Sequence, residues 1–268
     1  MKPSVYGFIP EDNLIDLPFS CKLVVDPDNN YFNSQIKIDR ESHLKMILVH
    51  GCEPKVVNNI TDEIIKNHAY FDKIFTYDVE VLKNTSNSEL FCFGSCWVLS
   101  GKVGETIMTE KEFIEKEFNK KFKVSFIKSH KNYLEGHKMR QYVPELMLNR
   151  NFESLNLSNI PIKFPLFEDS MFHIAIENCR ETNYFSEKIV DCFMSKTVPI
   201  YCGCPNIGDY FDINGIIIFN NLNELHSILS KLTVDDYINR IDILGENYNI
   251  SKNYAFFFQR INNLLLII

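Results

Sequence analysis

No stretch of this 268-residue chain holds the roughly 18 consecutive apolar residues that span a bilayer, and no basic-apolar-small leader precedes Val5. The closing run Leu264 to Ile268 is too short to act as an anchor. A chain without a membrane span, working in the cytoplasm, is therefore expected. A basic excess is missing as well: 28 Lys and Arg stand against 35 Asp and Glu, a formal net charge of -7. Such a balance argues against nucleic acid or a membrane surface as partner, while leaving room for a local basic pocket. Internal repeats, low-complexity tracts and long linkers are absent, and no Gly-x-Ser-x-Gly elbow marks an α/β-hydrolase. The eight cysteines lie in apolar segments of a chain too large to need a disulfide frame, so they are read as reduced core thiols. Cys202 and Cys204 lack the second pair that a zinc site wants.

What is present is an ordinary globular composition, 45% hydrophobic and 13% aromatic. The length suits two modest domains. Strand signals at Val5 to Ile9, Leu44 to Val49, Lys73 to Tyr77 and Leu90 to Leu99 are interleaved with a helix at Ile60 to Lys66. Met108 to Lys120, charged and amphipathic, reads as a further helix. The alternation restarts with a strand at Val124 to Ile127 and a helix at Gly136 to Leu148. A boundary near residue 121 follows, giving domains 1–121 and 122–268. Helices are expected at Asn221 to Leu232, Val234 to Leu244 and Ser251 to Leu265, the last of them packing back on the first domain. Strands alternating with helices mean parallel, doubly wound sheets, an α/β class with two Rossmann-like domains.

The richest segment is Phe172 to Pro205. Met171 to Ile176 is an apolar strand that stops at Glu177-Asn178, as a buried strand does where its carboxyl end opens. Ser186 is a good N-cap, and Ile189, Val190, Phe193 and Met194 recur at helical spacing behind it. Glu187 and Lys188 then fall in the helix's first turn. Free N–H groups and the positive end of the helix dipole favour an anion there, and Lys188 adds a full charge. Val198 to Tyr201 is the next strand; Pro199 inside it marks an edge or irregular position. Gly203 permits a close approach or a tight turn.

Three groups in this segment, Ile176-Glu177-Asn178-Cys179, Tyr184-Phe185-Ser186-Glu187-Lys188 and Val198-Pro199-Ile200-Tyr201-Cys202-Gly203, resemble the donor-binding signature of glycosyltransferase family 10, the α1,3/4-fucosyltransferases. Ile176 stands where the family has an aromatic residue, Cys179 where it has Ser, and Ser186 where it has Thr. The resemblance is firm from about Lys123 to Phe219 and thin before it. It implies a GT-B fold, two domains facing across a cleft, with the acceptor on the N-terminal side and a nucleotide sugar on the C-terminal side. It also implies that Glu187 bonds ribose hydroxyls and Lys188 neutralises a diphosphate. The competing reading of both is a solvated helix start.

Further candidates surround these. Arg140, in SHKNYLEGHKMR, could grip a diphosphate with its fork or be a surface arginine paired with Glu145; Lys138 is read as a surface residue, and His137 as a helper or a cap. Asn178 and Tyr184 can hydrogen-bond sugar hydroxyls, and Glu177 can hold the donor loop. By the resemblance, the general base is a Glu followed closely by Pro; here Glu53-Pro54 is direct where the family has Glu-Ser-Pro. Asp78 is the rival, with Asp72 and His50 behind it. The expected activity is inverting transfer of fucose from GDP-fucose to a glycan or glycoconjugate hydroxyl, without a protein-bound metal or other cofactor, a divalent ion serving only to screen the diphosphate. The alternatives are a different GDP- or UDP-sugar, or a non-catalytic nucleotide-sugar or glycan-binding module.

Overall fold

The computed structural model describes residues 1–7, 11–51, 59–98, 109–148, 153–156 and 163–267. The chain divides into two compact units, residues 1–93 with 181–184 and 256–268, and residues 94–180 with 185–255.

In the first unit five parallel strands, β1 (Ser4–Tyr6), β2 (Cys21–Val25), β3 (Lys45–His50), β4 (Lys73–Thr76) and β5 (Ser88–Leu90), lie in simple sequence order. Right-handed crossovers from β2 to β5 that always step the same way put those connections on one face of the sheet. Helices α1 (Ile36–Ser42), α2 (Thr61–Asn67) and α3 (Val79–Asn84) occupy these connections. Val24, Met46, Leu48 and Ile74 of the sheet pack there with Ile36, Ile64 and Val81. On the opposite face Leu23, Val25, Ile47, Val49 and Phe75 are met in part by Leu14 and Leu17 of the β1–β2 connection. The C-terminal helix, Phe257–Leu266, covers this face with Phe257, Ile261 and Leu265. Each of these three side chains contributes on the order of 1.5–3 kcal/mol by burial. Arg260 reinforces the seam by donating to the carbonyls of Cys92 and Phe93 at 2.8 and 2.9 Å.

The second unit begins with α4 (Glu110–Ile114) and β6 (Lys121–Lys128), followed by α5 (Glu135–Leu148) and β7 (Glu153–Asn156). Next come α6 (Phe164–Glu168), β8 (Ser170–Ile176), α7 (Glu187–Met194), β9 (Val198–Cys202) and β10 (Ile217–Ile218). Helices α8 (Leu222–Lys231), α9 (Val234–Ile238) and α10 (Ile241–Ala255) complete it. The strands are all parallel, in the order β10-β9-β8-β6-β7. The chain moves outward from β6 to β7, then returns to the other side of β6 and continues to β8, β9 and β10. A doubly wound sheet results, with its topological switch point between β6 and β8, where such folds bind ligands at the carboxyl ends of the strands.

Several elements depart from the sequence reading. Contacts divide the chain at Phe93 and Gly94 instead of near residue 121, because the segment after Phe93 is tied to the second unit: Cys96 N–H donates to Ala255 at 2.9 Å. The apolar stretch from Leu90 is paired only over Ser88–Leu90; the N–H groups of Trp97 and Val98 go to the Asp191 carboxylate at 2.6 and 3.1 Å, which leaves them nothing for a ladder. The helix expected to run to Lys120 ends at Ile114. It starts from a Thr109–Glu112 capping box, and its Phe113 then meets Phe118 edge-on once the chain has left the helix. The last two expected helices are re-cut, α9 stopping at Ile238 and α10 running on to Ala255. Pro199 lies in a central strand; β10 is two residues long and pairs only Ile200 and Tyr201, so no ladder donor is demanded of Pro199 on that side.

Candidate functional site

Two loops meet at the switch point, the one from β6 into α5 and the one from β8 into α7. They approach so closely that Gly136 N–H donates to the Asn178 carbonyl at 3.0 Å. A Cβ on residue 136 would lie 1.8 Å from the Glu177 carbonyl oxygen, so only glycine lets α5 start here. One turn on, Arg140 is buried at 7% exposure. Its Nε donates to the Gly136 carbonyl at 3.1 Å and its Nη2 to Oδ1 of Asn178. Arg140 is thus aimed across the switch point instead of out to Glu145.

His137, on the same turn, is buried, and its Nδ1 accepts the Leu134 N–H at 3.4 Å, as a neutral ring does. Burial first, then the charges of Arg140, Lys131 and Lys188, push its pKa down to about 4. At neutral pH the positive charge around it therefore belongs to those three side chains.

On the second loop Glu177 is the organiser. Its carboxylate is buried and takes the Ser186 N–H at 2.9 Å and the Ser186 hydroxyl at 2.6 Å, which fixes the N-cap of α7. Gly203 makes room for it, since a Cβ there would lie 2.4 Å from Glu177 Cγ. Lys188 Nζ is 2.8 Å from Ser186 Oγ and 3.4 Å from both Glu177 and Glu187. Glu187 is 7% exposed and holds a second ammonium, Lys163, at 3.4 Å. Burial raises the Glu187 pKa, but Lys188 and Lys163 outweigh it and bring the value to about 2. Lys163 in turn sits 2.8 Å from Asp191. Burial opposes its charge, yet Asp191 and Glu187 hold its pKa above the ordinary lysine range. Neither Lys163 nor Asp191 was legible as a site residue. The one signal was an acid inside the apolar helix IVDCFM, which must find a partner when buried.

The remaining candidates lie elsewhere. Tyr184 is buried in the first unit, its ring 5.4 Å from that of Tyr77. Glu53 lies outside the described residues. Asp78 caps α3, one oxygen taking the Glu80 N–H at 2.9 Å and the other the Thr61 hydroxyl at 2.5 Å. Asp72 lies before β4, at the amino end of the sheet, paired with Arg40 at 2.7 Å. His50 meets the Thr76 hydroxyl at 3.0 Å. The chain's one Asp-x-Asp, Asp26-Pro27-Asp28, is also in the first unit: Asp26 accepts the Gly51 N–H at 2.7 Å and Asp28 the Tyr6 hydroxyl at 2.9 Å. Cys202 accepts from Arg180, and Cys204 donates to Asn206, both at 3.1 Å. A groove of about 320 Å³ beside α5 and α8, lined by Met139, Tyr142 and Leu222 among others, includes neither Arg140 nor Lys188 and is not the anion site.

The chemistry on offer is anion binding: the Arg140 guanidinium and the Lys188 ammonium both act on His137 at the start of α5, and the N-termini of α5 and α7 follow the two loops that meet at the switch point. No family model matches the chain. An alpha-(1,3)-fucosyltransferase of Helicobacter pylori is 26% identical over 110 residues, covering 39% of this chain and 22% of that protein. The matched part is thus about a fifth of that curated relative. Among solved structures, an α1,3-fucosyltransferase superposes with a TM-score of 0.55 at 16% identity, over 91% of this chain and 76% of that one. Another, solved with GDP-fucose, gives 0.53 at 17% over 85% and 69%. A UDP-forming α,α-trehalose-phosphate synthase from Burkholderia vietnamiensis gives 0.58 at 11% over 94% and 71%. Two parallel α/β units and these neighbours define the GT-B class. Within it, the chain is similar to α1,3-fucosyltransferases in sequence over 110 residues and in fold over most of its length.

Proposed function

We propose that the chain is an inverting glycosyltransferase that moves fucose from GDP-fucose to a glycan hydroxyl with α1,3 linkage. The observation that carries this reading is Arg140, held by Asn178 at the switch point, in the same unit as Lys188 on the first turn of α7. A nucleoside diphosphate leaves unprotonated when fixed cations match its growing charge, and these need no reorganisation to do so. The only proton transfer left is from the acceptor hydroxyl, for which one carboxylate suffices. By resemblance that carboxylate is Glu53. A protein-bound metal has no step here, and a divalent ion would stimulate by screening the diphosphate. No helix among the described residues is long and apolar enough to cross a membrane, and we assign the chain a cytoplasmic setting.

A glycan array incubated with labelled GDP-fucose tests the reading. Label on a defined set of acceptors is expected. Transfer from a UDP-sugar instead would change the donor, and GDP-fucose binding without transfer to any acceptor would reduce the chain to a binding module.

A further inference from the structure

Glu187 is the only carboxylate of the signature with two ammonium partners, and the two are held differently. Lys188 sits at the start of α7 and is close enough to His137 and its neighbours to act on them, so it borders the switch point. Lys163 is held from behind. Its Nζ is 2.8 Å from Asp191 and 4.9 Å from the Trp97 ring centre. Asp191 itself is fully buried and anchored by the Trp97 and Val98 N–H groups. Of the two lysines, Lys163 is therefore locked and Lys188 is the one placed to turn toward a ligand.

That difference has a consequence when a diphosphate arrives. If Lys188 transfers its ammonium to the ligand, Glu187 loses a counter-ion while remaining buried, and a buried carboxylate without a partner takes up a proton. A protonated Glu187 would no longer accept from both hydroxyls of a ribose. The other charged groups facing it are Asp191 one turn along α7 and Glu177 at the end of β8, and both would push further toward protonation. Among the described residues Lys163, from the segment before α6, is the cation that then opposes them.

We propose that Lys163 is a positioning residue of the nucleotide site: it stays on Glu187 when Lys188 turns to the diphosphate, keeping that carboxylate ionised and aimed at the ribose. The proposal rests on the donor-site reading above and deepens it. Lys163 does not touch the ligand and acts through Glu187.

The test is calorimetric titration of GDP into the wild-type protein, Lys163→Arg, Asp191→Asn and the double variant Lys163→Met/Asp191→Asn, with Asp191→Asn as the reference that isolates the loss of Lys163. The double variant removes both buried charges together while leaving an acceptor for the Trp97 N–H, so it avoids an orphaned buried ion. Melting temperature confirms that it is folded. Without Lys163 the Glu187 pKa is higher in the complex than in the free variant, so binding takes up a proton and its penalty is largest at high pH. Relative to Asp191→Asn, the affinity of the double variant is expected to fall about tenfold further at about pH 8 than at about pH 5.5, one pKa unit being worth that factor, and the smaller gap that stays at low pH is the ribose acceptor lost to protonation. Lys163→Arg should restore wild-type binding. An affinity in the double variant equal to that of Asp191→Asn at every pH, or a loss of equal size at every pH, would overturn the proposal, the latter pointing to a structural role. Absence of GDP binding by the wild-type protein would overturn the donor-site reading and this inference with it.

Discussion

Glu53→Gln is expected to lower kcat by roughly 10² to 10⁴-fold while leaving GDP affinity nearly unchanged, because a general base acts in the transition state and not in holding the donor. Gln keeps the shape and hydrogen-bonding capacity of the side chain but has no basic oxygen. Steady-state transfer kinetics with GDP-fucose, read beside GDP titrations, separate the two effects. Asp78→Asn is the control. Both oxygens of Asp78 already serve the fold, one capping α3 and the other bonding Thr61, so this substitution should lower the melting temperature and spare kcat. Loss of turnover in Asp78→Asn with normal turnover in Glu53→Gln would move the base to Asp78.

The second large effect is expected at Arg140. Arg140→Ala removes a buried charge from the switch point together with its side-chain hydrogen bonds to Asn178 Oδ1 and the Gly136 carbonyl. A weakening of GDP binding by roughly 10 to 150-fold should result, the range set by about 1.5–3 kcal/mol for a charged hydrogen bond. Arg140→Lys keeps the charge but loses the planar fork, so it should recover only part of the affinity. Calorimetry on the three proteins decides this. If both variants bind GDP as wild type does, Arg140 serves only to join α5 to the β8 loop.

How much of this was legible in the sequence depends on how local the cause is. The strand ending at Ile176, the Ser186 cap and the placing of Glu187 and Lys188 in the first turn of α7 are local signals, and they stand in the structure where the sequence puts them. Gly136 and Gly203 are a different matter. Their need for glycine comes from Glu177, 41 and 26 residues away, and no pattern in the neighbouring residues announces it. Trp97 and Val98 read as strand because they are apolar, but Asp191 takes their backbone donors, and a side-chain acceptor nearly a hundred residues on has no signature in a propensity. Lys163 is the clearest case: a lone lysine before FPLFE looks like surface, and only the fold brings it to two buried acids.

The claim on which all of this depends is that the switch point of the second unit binds a nucleoside diphosphate, and the most direct measurement is GDP titrated calorimetrically into the wild-type protein and Lys188→Ala. Saturable one-to-one binding is expected for the wild type. Removing the Lys188 ammonium should weaken it by about 1.5–3 kcal/mol, on the order of 10 to 150-fold. Equal affinity in the two proteins, or no binding of GDP by the wild type, would contradict the assignment.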